Sequence, residues 1–213
     1  MARLKVIGNK WFPLAAAVII VAIIAFFLLS RMGEGSKLPV EGDAPAFSLQ
    51  NTEGETITLD NTAGKTRLIY FFFAHCPDVC LPTNNMLSQV QEGLKEKGLF
   101  GDEAILMSVT FDPERDTVEY LKEYMSKMNA DPTGWHYLRS DDVEYVRSVA
   151  ESYGVTVIPS GEDFIHANLY TLIDGDGKIR KIYSPNEVLL GYSDKTIDEL
   201  VDEIVQDMWA LSK

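Results

Sequence analysis

Cys76 and Cys80 are the only cysteines of the chain, separated by three residues in Tyr70-Phe71-Phe72-Phe73-Ala74-His75-Cys76-Pro77-Asp78-Val79-Cys80-Leu81-Pro82. Two thiols so close admit three uses: a redox pair, half of a metal site, or a structural bridge. If the segment forms the first turn of a helix, positions i and i+4 stack about 5–6 Å apart. That separation suits two thiolates sharing a metal and, after modest adjustment, a disulfide. Cys76 near a helix N-terminus would be favoured as thiolate, and Pro77 suits a first turn because it has no amide hydrogen to lose. Two thiolates alone hold a soft metal poorly against exchange, so a third ligand is sought among His75, His136 and His166, the three histidines of the chain. The His75 ring, adjacent to Cys76, is expected to point away from the sulfurs, and His136 is expected to be structural or solvated in a surface strand. His166 stands far along the chain where a loop meets a strand. A lone histidine of this kind is more often a hydrogen-bonded structural residue than a ligand, so the residues alone leave all three uses open.

The elements around the cysteines follow from apolar spacing. Ala46–Leu49 and Thr56–Leu59 alternate with period two around the turn Asn51–Gly54 and read as a β-hairpin. Thr66–Phe73 is apolar on both faces and should lie mid-sheet. A helix is expected from Thr83 to Lys97, with Met86, Leu87, Val90 and Leu94 on one face. A second buried strand follows at Ala104–Phe111, then a helix at Thr117–Met128 with Val118, Leu121, Tyr124 and Met125 inward. A short strand, Trp135–Leu138, precedes a helix from Asp141 to about Tyr153. Pro159–Asp163 reads as a loop delivering Phe164, Ile165 and His166 to a strand at Ala167–Ile173. Asp174–Gly177 is a tight turn into Lys178–Tyr183. A helix over Ser193–Leu211, with Ile197, Leu200, Val201, Ile204 and Met208 inward, closes the chain. This order predicts an α/β, thioredoxin-like domain with an N-terminal β-hairpin. Function in such open sheets collects at the C-terminal ends of the strands, where the cysteines fall. Met86 and Met125 read as core, as do Tyr70 to Phe73.

The 213 residues suffice for one domain plus an appendage. Trp11–Leu29 carries no charge and, at about 1.5 Å per residue, nearly matches a hydrocarbon core of roughly 30 Å. The run has no small-residue cleavage pattern and no cysteine to take a lipid, so a single transmembrane signal anchor is expected. Arg3, Lys5 and Lys10 precede it, which keeps the N-terminus cytoplasmic. The expected organisation is a cytoplasmic tail at 1–10, the anchor at 11–30, a linker at 31–43 and the domain at 44–213. That domain would stand on the extracytoplasmic side of a bacterial cell membrane, where a disulfide can persist. The formal charge is −13 overall and, with three bases and no acid in the first 30 residues, −16 on the rest. So acidic a domain is not expected to bind nucleic acid.

Three segments together carry a resemblance: His75-Cys76-Pro77-Asp78-Val79-Cys80, Phe111-Asp112-Pro113-Glu114-Arg115-Asp116-Thr117, and His166 followed by Leu172-Ile173-Asp174-Gly175-Asp176-Gly177. In this order and spacing they resemble the SCO/SenC family of copper-binding assembly factors for cytochrome c oxidase, over roughly Ala44 to the C-terminus. The resemblance implies copper binding through Cys76, Cys80 and His166, a membrane tether, and the copper-bearing oxidase subunit as partner, with other copper chaperones or thiol oxidoreductases as further partners. The chain departs from the family pattern at Leu81 before Pro82, at Val118 after the second motif and at Ile165 before the histidine; none of these removes a ligand. Two thiolates and one imidazole suit Cu(I), and with an added oxygen ligand Cu(II). A closed zinc site would want a fourth protein ligand. Asp78 and Asp116 are expected to cap or to be solvated rather than to bind metal.

Two functions use the same sulfurs. A copper metallochaperone needs His166 to retain its cargo. A thiol-disulfide oxidoreductase acting on the oxidase subunit or another exported protein needs only Cys76 as nucleophile and Cys80 to resolve the mixed disulfide. The histidine favours the first. A disulfide that merely staples the loop ranks last, because so short a ring restricts little chain entropy.

Overall fold

Ten strands and five helices follow one another from Gly42 onward in a computed structural model, which describes residues 19–20, 38–75, 80–161 and 163–213, with Cys80 and Leu81 by backbone. They are β1 (Gly42–Asp43), β2 (Ser48–Asn51), β3 (Thr56–Thr58), β4 (Thr66–Phe72), α1 (Cys80–Glu96), β5 (Ala104–Thr110), α2 (Val118–Lys127), β6 (Trp135–Arg139), α3 (Val143–Ser152), β7 (Val157–Ser160), β8 (Asp163–His166), β9 (Tyr170–Ile173), β10 (Lys178–Tyr183), α4 (Pro185–Leu189) and α5 (Ile197–Leu211). The span expected over 11–30 lies outside the described residues except for Ile19 and Ile20. Among the described residues no helix is long and apolar enough to cross a membrane.

Eight strands form one sheet in the order β1-β10-β9-β4-β5-β6-β2-β3, and β7 and β8 pair separately. β4 lies parallel to β5 and antiparallel to β9. The run β10-β9-β4-β5, with α1 crossing between the two parallel strands, is a thioredoxin-like arrangement, as expected. Every residue of β4 and β5 is buried, because helices or the hairpin cover both faces of the central strands. Period-two alternation divides the core in two. Leu68, Tyr70 and Phe72 pack with α1, α2 and α5 on one face; Ile69, Phe71 and Phe73 pack with α3, Phe47, Leu49 and Ile57 on the other. At about 1.5–3 kcal/mol for each large apolar side chain buried, this two-faced burial makes the middle of the sheet the rigid part of the molecule. Met86 and Met125 lie in the first of these cores.

Several elements differ from the sequence expectation. The hairpin forms, but β2 extends to Asn51, whose Oδ1 accepts the amides of Glu53 and Glu55 at 3.0 and 2.9 Å and so closes the turn from inside it. The strand holding His136 is not at the surface: β6 lies between β5 and β2, and Trp135 is fully buried with its Nε1 donating to the Ser108 hydroxyl. Pro159–Asp163 is not an open loop. Its ends belong to β7 and β8, paired Ile158 to Ile165 and Val157 to His166, and a two-stranded ribbon tolerates Pro159 because it is all edge. His166 therefore ends a strand of this ribbon instead of entering β9. The last helix starts later than Ser193, because Thr196 and Glu199 form a reciprocal capping box. Ile197 in that first turn is 37% exposed rather than inward. The short α4 ahead of it begins with Pro185 at the first helical position, a residue suited to that place.

Candidate functional site

β4 and β5 end side by side, with Phe72 opposite Thr110 in the parallel register. Beyond them Phe73 and Phe111 continue on the same face of the sheet, their rings 5.6 Å apart. Phe164 of β8 packs edge-on to both, at 5.3 and 5.4 Å. The His166 ring, two residues further along the same strand face, lies 4.9 Å from Phe111 and 6.0 Å from Phe73. Strand periodicity explains the pairing, since residues i and i+2 point the same way. An aromatic cluster thus brings a histidine from the ribbon to the end of the sheet where β4 runs toward the cysteines. Arg115 and Arg147 extend the cluster, their guanidinium carbons 5.6 and 5.2 Å from the Phe164 centroid.

His166 is half-buried, and its Nδ1 lies 3.0 Å from the Ala167 carbonyl oxygen. A carbonyl only accepts, so Nδ1 carries the hydrogen and Nε2 of the neutral ring keeps its lone pair. Burial lowers the pKa of this imidazole from its ordinary value, against a smaller opposing effect of the Ala167 bond. A neutral ring with its tautomer fixed by a backbone carbonyl is the form that ligates a metal. Cys76 lies outside the described residues. Cys80 is the first residue of α1, three positions before the earliest start expected from apolar spacing. Whether the two cysteines share one helical turn falls on residues 76–79, also outside the described residues.

The loop after His166 is tied to the first turn of α1. The Asn168 side-chain amide donates to the Thr83 hydroxyl and to Asn186 Oδ1, both at 2.8 Å, and the Tyr170 hydroxyl donates to the Thr83 carbonyl at 2.6 Å. Asn168 and Thr83 are buried, where a hydrogen bond in low dielectric is both stronger and costlier to lose. Periodicity alone does not find them, since they are polar residues at core positions. The useful signal is chemical: Asn and Thr within three residues of a proposed ligand.

His75 takes a different part. Its Nδ1 is 2.9 Å from Asp116 Oδ1, and its ring stacks on Tyr120 with centroids 4.1 Å apart. Asp116 is neither solvated nor a helix cap, contrary to the expectation for it. It is 0% exposed and also accepts the Ala74 amide at 2.8 Å and the Thr110 hydroxyl at 2.5 Å. Burial holds its carboxyl above the usual range, against those three hydrogen bonds. His136 stands apart from this end of the sheet: it pairs with Met107 mid-strand, and burial lowers its pKa.

A family model described as SCO1/SenC matches residues 39–201. The SCO1 protein homolog of Bacillus subtilis is 24% identical over 185 residues, which cover 85% of this chain and 91% of that protein. The human mitochondrial protein SCO1 homolog is 33% identical over 147 residues, 66% of this chain and 47% of that protein, so the chain spans about half of that relative's length. Among solved structures, Arabidopsis thaliana ScoI with copper bound matches with a TM-score of 0.63 and 28% identity, over 78% of this chain and 98% of that one.

Proposed function

We propose, from the premise that this chain belongs to the SCO1/SenC family, that it is a membrane-anchored copper metallochaperone for the binuclear copper centre of cytochrome c oxidase, carrying copper on Cys76, Cys80 and His166. The observation that carries the reading is His166, with Nδ1 committed to the Ala167 carbonyl and Nε2 left as an acceptor beside Phe73 and Phe111. The chain passes from Phe73 to Cys76 in three residues, so one soft-ligand set within reach of that nitrogen is a short step. Two thiolates with a neutral imidazole match Cu(I), and Cu(II) with an added oxygen. A relative solved with copper bound supports the same cargo. The apolar run at 11–29 and the bases before it are the basis for a single-pass bacterial membrane protein with its domain outside the cytoplasm.

Thiol-disulfide exchange on the oxidase subunit is the second reading. It is favoured by the start of α1 at Cys80 with no acidic residue in the first turn, a setting in which the helix terminus stabilises thiolate.

Copper titration of the full-length chain in detergent, followed by thiolate-to-copper absorption, separates the two. Loss of an orienting neighbour alone costs metal sites about 10- to 100-fold in affinity, so His166→Ala is expected to weaken Cu(II) retention by roughly 100-fold or more. The same variant should still form its disulfide. Unchanged retention removes His166 from the site and leaves the exchange reading in possession.

A further inference from the structure

We infer that Asp116 is a positioning residue for the cysteine segment: one buried carboxylate clamps the backbone of Ala74 and the ring of His75, the two residues that lead into Cys76. This rests on the copper-carrier reading for its significance, though not for its geometry. Asp116 spends its bonds unevenly. One, to the Thr110 hydroxyl, ties the end of β5 to the turn before α2, as a neutral side chain could do equally well. The other two reach back 41 and 42 residues to His75 Nδ1 and the Ala74 amide. A buried carboxylate is costly unless every oxygen is met, and among the described residues no lysine or arginine is bonded to this one. The neighbouring Arg115 is engaged with Asp112 at 2.5 Å.

Two attachment points on consecutive residues do more than one. The amide bond fixes where the chain lies at Ala74, and the ring bond fixes how it is rotated at His75. Tyr120 adds a third constraint: its ring covers the imidazole at an interplanar angle of 14°. Tyr120 is carried on the first turn of α2, where its amide donates to the hydroxyl of Thr117, the N-cap, at 3.2 Å. The His75 side chain is 33% exposed, yet it is held on one face and at Nδ1. Consecutive Cα atoms are about 3.8 Å apart, so Cys76 starts one peptide from a fixed point. The clamp accounts for His75 as an orienting residue rather than a ligand.

The test uses full-length protein in detergent and four measurements: Cu(II) dissociation rate, the Cu(II) absorption and EPR signature, the alkylation rate of the thiols in the metal-free reduced form, and near-UV circular dichroism for folding. Asp116→Ala is expected to speed Cu(II) loss about 10-fold, shift the spectrum and raise the alkylation rate. Asp116→Asn, which keeps an acceptor and the shape, should restore most of each. His75→Ala placed on top of Asp116→Ala should add nothing, since coupled residues are not additive. A folded Asp116→Ala with native dissociation rate and spectrum overturns the clamp, as does full additivity with His75→Ala. If Asp116→Ala does not fold, His75→Phe keeps the stack on Tyr120 and removes only the Asp116 bond. A several-fold faster dissociation supports the clamp and an unchanged rate overturns it. If wild-type protein retains no copper, the carrier reading fails by itself; the alkylation rates then decide the clamp, with the same order expected and equal rates overturning it.

Discussion

The two ends of β4 each bury an ionisable group, and they use it differently. At the N-terminal end Arg67, 1% exposed, donates to the carbonyls of Leu59 and Asp174, while its Nε has no partner among the described residues. Burial lowers the pKa of this guanidinium, with Asp174 opposing. Asp174 accepts the amides of Asp176 and Lys178 and an Arg180 nitrogen at 2.8 Å. Burial works against its charge, but those bonds outweigh it and leave the carboxyl below its ordinary range. These bonds close the Asp174 turn on itself and tie it to β4 and β10, and β4 to the Leu59 segment. At the C-terminal end Asp116 ties structure to the chain that precedes a proposed ligand, and the nearby His166 has one nitrogen with no partner among the described residues. A buried charge whose bonds go only to turns and strands reads as stability; one whose bonds converge on residues beside reactive groups reads as posture.

That contrast can be broken from either side. Phe111→Ala should have the largest effect, about 3–5 kcal/mol of unfolding free energy by denaturant titration, with faster copper loss because the His166 ring loses its nearest support. Arg67→Met should cost roughly 1.5–3 kcal/mol by removing the charged hydrogen bonds to the Leu59 and Asp174 carbonyls, with copper retention unchanged. Copper loss on Arg67→Met as large as on Asp116→Ala would dissolve the distinction between the ends. Acid unfolding gives the next test, with opposite signs at the two ends. The depressed carboxyl of Asp174 contributes stability above the ordinary carboxylate range and loses it as pH falls through its folded value. The raised carboxyl of Asp116 binds a proton more tightly in the folded state, so its contribution is most favourable at low pH and declines as pH rises through its folded value. Asp174→Asn should therefore flatten the loss of stability on acidification, and Asp116→Asn should steepen it. The smallest effect is expected for Thr196→Ala, about 1 kcal/mol from the lost helix cap, with no change in copper binding.

What could be read from the sequence followed the strength of the local signal. β4, β5, α1 and α2 are where their apolar periods put them, to within three residues, because each buries a continuous apolar face whose spacing is set by backbone geometry. The ribbon β7–β8 and the short α4 were not legible. Val157–Ser160 contains a proline and exposed residues, and it pairs as a strand only because Asp163–His166 runs back alongside it. The interior position of β6 was likewise missed, since Trp135-His136-Tyr137 carries no period that separates an edge from a central strand.

From the amino acids alone came the residue types available for chemistry: two thiols four positions apart, one remote histidine and an acidic domain behind an apolar run. They also carried the family, through three motifs in fixed order. How His166 is held came from packing, with its Nδ1 on a carbonyl and its ring on Phe73 and Phe111. The fold also turned Asp116 from an expected capping or solvated acid into a buried tie across 42 residues. The reason is physical: spacing along a chain fixes which groups share a turn or a strand face, whereas burial and hydrogen-bond partners depend on segments that meet only after the sheet has formed.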